Sequence, residues 1–223
     1  MRLLSLGVSD VIEEYLEAIY RLQERSGVAK TNDLVSMLKV TPGTVTNTIE
    51  RLEKKLLIIH EPYRGVQLTD EGRRIAINVI RKHRLLERLL TDILEVDWDK
   101  VHEIACSLEH WITEDVVRKI ERTLGYPKKC PHGNPIPDES GEILSEEAQP
   151  LTEFEVGDRG IISRVIEEKT EFLQYLSRIG IRPEKHVEII DKAPLGDPIT
   201  IKVNGSVQAL SRKMALLIMA RRR

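Results

Sequence analysis

The segment VHEIACSLEHW, Val101 to Trp111, sets His102, Cys106, Glu109 and His110 at steps of four, three and one residues. On a helix of about 3.6 residues per turn such steps place all four side chains on one stripe. The apolar segment before it carries His83 and Glu87 four residues apart, on the face shared by Val79, Leu86 and Leu90. Imidazole, thiolate and carboxylate groups are costly to bury unless all are satisfied together, and a divalent cation satisfies them at once. The donors suit a first-row transition metal.

Glu14 and Glu17 stand beside the apolar seam of an earlier segment and are further candidate ligands. A ligand from another part of the chain would tie metal occupancy to that part's position, which is how a sensor rather than an enzyme is built. A metallohydrolase would need an additional acid-base pair and a substrate cleft. A thiol redox sensor would use Cys106 but leave His83, Glu87 and His102 without a role. Cys130 and His132 lie in a proline-rich stretch and read as ordinary loop residues.

These side chains need elements to hold them. With 223 residues, 41% of them hydrophobic and 31% charged, the chain is long enough for two or three small domains. A formal net charge of -2 gives no global basic field, so DNA binding must rest on local patches. Two cysteines outside any C-x-x-C pair, and no apolar run of signal or membrane length, point to a reducing cytoplasm with no membrane partner.

Val11, Ile12, Tyr15, Leu16, Ile19 and Leu22 recur at helical spacing, with Asp10 as the expected cap. Thr31 is the expected cap of a second helix, and Thr41-Pro42 opens a third with a seam of Val45, Ile49, Leu52 and Leu56. Apolar runs on either side of Pro62-Tyr63-Arg64-Gly65 suggest a hairpin, which completes a winged helix-turn-helix. Helices are predicted from Thr69 to about Leu94, from near Asp97, and from Thr113 to Gly125. Their surplus apolar stripes suit a dimer interface.

Tyr126 to Pro150 holds half of the ten prolines and reads as a linker. Beyond it, alternating runs at VGDRGIISRVI, KHVEIID, PITIKV and SVQAL, around the short helix FLQYLSRIG, predict a small SH3-like barrel with a turn at Asn204-Gly205. The expected class is mainly α with small β parts. The expected domains are 1–75 (winged helix-turn-helix), 76–126 (helical, metal-binding and dimerising), 127–150 (linker) and 151–223 (SH3-like, FeoA-like).

RKHRLLERLLTDIL, KVHEIACSLEHW, HGNPIP, TPGTVTNTIERLEKKLL and LTDEGR together resemble the iron-dependent regulators of the diphtheria toxin repressor family, over nearly the whole chain. The resemblance implies a homodimeric, metal-activated transcriptional repressor, not an enzyme, that binds palindromic double-stranded operator DNA and takes no small-molecule substrate. It implies about two metal sites per subunit: an ancillary site at His83, Glu87 and His102, and a primary regulatory site at Cys106, Glu109 and His110. Thr41, Thr44, Thr46 and Asn47 match the recognition helix, and Tyr63, Arg64 and Gly65 the wing. Arg51, Lys54 and Arg64 are candidate phosphate contacts and Asn47 a candidate base reader.

The chain departs from the family pattern in three places. Glu14 replaces a usual methionine, and it and Glu17 match acidic ligands of the related manganese regulators, whereas those regulators carry a glutamate where this chain has Cys106. The thiolate favours Fe(II), with Mn(II) the alternative. In the SH3-like domain the two family donor positions align with Arg164, which cannot ligate, and Glu167, which can.

Overall fold

The computed structural model describes residues 9–61, 64–144 and 146–223. They divide into two units, one formed by residues up to 82 together with 137–142, the other by 83–136 and 143–223.

In the first unit, α1 (Asp10–Ser26), α2 (Thr31–Leu38) and α3 (Pro42–Lys54) pack in sequence, and α1 and α3 meet the strands of a hairpin, β1 (Ile58–Glu61) and β2 (Gly65–Leu68). The N-caps of α1 and α2 are Ser9 and Lys30, one residue before the expected Asp10 and Thr31. Thr41 caps α3 as expected: its hydroxyl oxygen accepts the Thr44 N–H at 3.3 Å, and Pro42 occupies a position where a missing N–H costs nothing.

The buried face of α3 is Val45, Thr48, Ile49 and Leu52. Leu56, expected to extend it, is 76% exposed because the helix ends at Lys54 and Leu56 takes a left-handed φ of 59°. Val66 pairs in both directions with Ala29, adding a bridge to the hairpin. Gly65 permits this approach, since a Cβ there would lie 2.7 Å from the Ala29 carbonyl oxygen. Tyr63 lies outside the described residues.

The long α4 (Asp70–Asp92) starts in the first unit and contributes its C-terminal half to the second. There α5 (Val101–Leu108) and α6 (Glu114–Thr123) join it around Leu85, Leu86, Leu90, Val101, Ala105, Val117, Ile120 and Ile136. Residues 97–100 form a turn, with the N–H groups of Lys100 and Val101 both donating to the Asp97 carbonyl, so α5 begins later than expected. It ends at Leu108, but Glu109 keeps helical angles (φ -59°, ψ -32°) and the ligand stripe continues past the helix end.

The C-terminal part is a six-stranded antiparallel sheet of SH3-like type, made of β3 (Gln149–Pro150), β4 (Arg159–Val165), β5 (His186–Lys192), β6 (Ile199–Val203), β7 (Ser206–Leu210) and β8 (Ile218–Arg222) in the order β3-β8-β4-β5-β6-β7. Helices α7 (Thr170–Arg178) and α8 (Arg212–Leu216) accompany it. In β6, Ile199, Ile201 and Val203 alternate into a core with Phe154, Ile162, Leu173 and Leu176. Asn204 and Gly205 take positive φ, as a tight hairpin turn requires. The sequence reading did not anticipate β3, α8 or β8. In β8 the consecutive residues Ile218, Met219 and Ala220 are all buried between β3 and β4, so the strand shows no alternation and its apolar run reads equally as helix.

Candidate metal centre

His83 and Glu87 lie one turn apart on α4, fully buried, with the imidazole Nε2 3.0 Å from Glu87 Oε1. Opposite them, α5 presents His102, whose Nδ1 is 3.0 Å from His83 Nε2 and 3.5 Å from Glu87 Oε1. One turn further along, Cys106 Sγ is 3.6 Å from His102 Nε2 and 3.9 Å from His83 Nδ1. Glu109, also buried, holds His83 Nδ1 at 2.6 Å, and its other oxygen is 3.4 Å from His110 Nε2. Residues expected to divide between two sites are thus linked through His83.

Cys130 and His132, expected to be plain loop, are buried beside this cluster together with Asn134. The loop is pinned to β4: Val165 N–H donates to the His132 carbonyl at 2.9 Å, and the Asn134 side-chain amide donates to the Val165 carbonyl at 3.1 Å. Gly133, at φ +85°, lets the backbones meet, since a Cβ there would lie 2.1 Å from the Ser163 carbonyl oxygen. The Asn134 amide also donates to Glu168 Oε1 at 2.7 Å. It is therefore Glu168, 3% exposed, that faces the cluster, whereas Glu167 sits 3.8 Å from Lys169 and enters none of the close ligand groupings. Two neighbouring glutamates ahead of a helix are indistinguishable by pattern; Asn134 selects one of them. The C-x-H spacing of Cys130 and His132 was the available sequence signal for the loop ligands. Arg164 lines a neighbouring cavity of about 240 Å³ with Lys128, Lys129 and Glu146.

Three groupings bring potential ligand atoms within 4.8 Å of one another: His83, His102 and Cys106; His83, Glu87, His102 and Glu168; and Glu87, Cys130, His132 and Glu168. A cation fits them on structural grounds. The His132 Nε2–H donates to the Trp98 carbonyl at 2.9 Å, which leaves Nδ1 as the ligating atom. That Nδ1 lies 3.1 Å from Glu87 Oε1 without hydrogen-bond geometry, and Glu87 Oε2 is also buried without a hydrogen-bond partner. Two such atoms in one dry place are relieved together by a positive ion.

Electrostatics in the metal-free chain point the same way. Burial opposes charge on His132, but the neighbouring Glu87 carboxylate overcomes it and pushes the imidazole up to about 11. For His102 burial is likewise outweighed, by hydrogen bonds with Cys106 and Glu87 and the charge of Glu168, raising it to about 9. His83 is raised and Glu87 lowered, each against its own desolvation, largely through their mutual attraction. Burial and the charge of Glu87 push the Cys130 thiol up.

In the first unit, Glu14 is exposed on α1, and Glu17 accepts from Arg21 Nε at 2.9 Å. The outer face of α3 exposes Thr41, Thr44, Thr46, Asn47, Arg51 and Lys54. The Thr46 hydroxyl donates to the Pro42 carbonyl at 3.1 Å, and Thr41 and Thr44 share a hydrogen bond of 2.8 Å, so these hydroxyls are already oriented. Arg64 is highly exposed and 3.1 Å from Glu61.

Residues 7–66 match the iron dependent repressor N-terminal DNA binding domain, 69–138 the iron dependent repressor metal binding and dimerisation domain, and 149–222 the FeoA domain. The chain is 34% identical over 206 residues to the diphtheria toxin repressor of Corynebacterium diphtheriae, covering 88% of this chain and 90% of that protein. It is 35% identical over 210 residues to the iron-dependent repressor IdeR of Mycobacterium tuberculosis, with the same coverage of each. Among solved structures, a manganese-dependent transcriptional repressor in complex with manganese superposes with a TM-score of 0.87 at 29% identity, over 95% of this chain and all of that one.

Proposed function

The chain belongs to the diphtheria toxin repressor family of iron-dependent repressors, and from that premise we propose how it works as a metal-activated transcriptional repressor: Fe(II), with Mn(II) as the alternative, licenses a homodimer to bind palindromic operator DNA of metal-homeostasis genes in the cytoplasm. It is a DNA-binding regulator and not an enzyme. No described helix is long and apolar enough to cross a membrane. The observation that carries the reading is the buried constellation of His83, Glu87, Glu109, His132 and Glu168, with half-buried His102 and with Cys106 and Cys130 beside it.

The proposed ligands are Cys106, Glu109 and His110 with Glu14 and Glu17 for the regulatory site, and His83, Glu87 and His102 for the ancillary site. For the SH3-like contribution to the latter, the geometry favours Glu168 over Glu167. A bound divalent ion supplies positive charge to carboxylates and thiolates that burial otherwise disfavours. The chain's own groups do the rest. Glu109 and the Trp98 carbonyl fix the tautomers of His83 and His132, and Asn134 orients Glu168. Carboxylates drawn from the DNA-binding part would make its placement depend on occupancy, and a shift from mostly inactive to mostly active needs about 5.5 kcal/mol of differential binding.

Ile104, Leu108 and Trp111, exposed at 39%, 39% and 77%, recur at helical spacing and are proposed as part of the dimer interface. On DNA, Arg51, Lys54 and Arg64 are assigned to phosphates, Asn47 to a base edge and the threonines to phosphate or thymine methyl contacts, with Tyr63 in the wing. The test is anaerobic gel-shift selection of genomic fragments with Fe(II), Mn(II) or chelator. Retention only with metal, abolished in Cys106→Ala, supports the reading, and equal retention under chelator refutes it.

A further inference from the structure

Trp98 lies in the turn between α4 and α5, yet its side chain is 6% exposed and belongs to the core of the SH3-like domain, with Phe154, Leu173, Leu176 and Ile181. Among the described buried members of that core it alone comes from before residue 151. The Arg182 guanidinium carbon lies 5.0 Å from the indole centroid, and the His132 ring lies 5.0 Å from the indole at 60°. The indole Nε1–H donates to the Pro131 carbonyl at 2.8 Å, so the polar atom of the buried ring is satisfied. The Trp98 carbonyl accepts the His132 Nε2–H at 2.9 Å.

Further contacts join the same parts of the chain. Glu103 on α5 accepts from the Thr170 hydroxyl at the start of α7 at 2.7 Å. The Val165 N–H on β4 donates to the His132 carbonyl, and the Asn134 amide donates to the Val165 carbonyl. Trp98, Glu103, Thr170, Val165, Arg182 and Asn134 stand outside all three close ligand groupings. These contacts therefore make no demand on the atoms that the candidate ligands would present to an ion.

We infer that Trp98 seats the SH3-like domain on the helical part with or without metal, as a fixed wall of the sensor rather than a lid that metal recruits. Withdrawing the indole would expose a large apolar ring, empty its place in a packed core and strip Arg182 of its aromatic partner. The turn that carries Trp98 leads directly into α5, so seating it fixes the start of the helix that bears His102 and Cys106. Donors held in this way are preorganised, and binding need not first order them.

The seating itself stands apart from the metal-activated reading; only its consequence for sensing rests on that reading. The test is hydrogen exchange of the full-length protein with chelator and with Mn(II), with operator binding measured on the same samples. The expected result is protection at residues 97–102 and 170–182 that agrees within about twofold between the two conditions. Protection that falls by more than about tenfold under chelator overturns the seating, whatever the DNA result. Steady protection with DNA binding indifferent to metal upholds the seating and overturns the repressor reading.

Trp98→Ala should raise exchange at 170–182 by at least about tenfold while β5 and β6 keep their protection, and Trp98→Phe, which refills the core, should restore most of the loss. Wild-type exchange in Trp98→Ala overturns the role of the ring. Acrylamide quenching supplies a reading that needs no change at the latch. The chain has two tryptophans, and Trp111 is 77% exposed, so a Trp111→Phe background reports Trp98 alone. Its emission should stay shielded to the same degree with chelator and with Mn(II), and quenching like that of a free indole under chelator would overturn the inference.

Discussion

Metal binding to this chain should release protons, and the structure says how many and from where. Without metal, His132 is pushed up to about 11 and His102 to about 9, and His83 and the Cys130 thiol are raised as well, so all four hold protons at pH 7. Each must lose one to ligate. At 1.36 kcal/mol per unit, deprotonation at pH 7 costs about 5 kcal/mol for His132 and about 3 kcal/mol for His102. Coordination must exceed that sum, and the opposing cost falls as pH rises. About four protons per chain should leave on loading these donors, and each proton that an ion displaces tightens that ion's apparent Kd by roughly tenfold between pH 7 and 8. Isothermal titration of Mn(II) into the chain in Pipes and in Tris, whose ionisation heats differ, counts the protons directly. His132→Ala should lower the count by about one. Fewer than two protons released, or a Kd unmoved between pH 6.5 and 8, would refute the protonated buried cluster on which the reasoning stands.

The same shifts fix the sign of the pH dependence of stability without metal. Imidazoles raised in the folded state contribute fully below their unfolded value near 6.5 and progressively less as pH passes 9 and then 11, so the Tm of chelated protein should fall across that window in a thermal scan. Glu168→Gln should weaken Mn(II) binding by on the order of a hundredfold, the loss of a buried charged partner, while Glu167→Gln leaves it within about twofold; the reverse ranking in equilibrium dialysis would restore Glu167 as the donor. Gly133→Ala meets the Ser163 carbonyl at 2.1 Å and a φ of +85°, and should cost about 1–3 kcal/mol in denaturant titration, weakening metal binding as Cys130 and His132 are displaced. Arg51→Ala should weaken operator binding uniformly across sequences and reduce the salt slope by about one, which anisotropy at graded salt measures.

The sequence by itself determined much of this protein. Helical spacing put His83 and Glu87, and His102, Cys106, Glu109 and His110, on common faces, because a helix repeats every 3.6 residues whatever it packs against. Thr41-Pro42 fixed the start of α3 and Asn204-Gly205 a hairpin, through local backbone chemistry alone. Long-range packing decided the rest. Leu56 left the apolar seam because α3 stopped before it, and the buried run of β8 carried no period to read. Nothing local distinguishes Glu168 from Glu167, and the C-x-H spacing of Cys130 and His132 was too weak a signal to lift them out of the loop. Their place in the centre depends on Gly133 allowing the loop against β4, on Asn134 reaching Glu168, and on Trp98 holding His132. Contacts between residues more than thirty positions apart have no signature in a one-dimensional pattern, and only the tertiary structure brings their donors to one point.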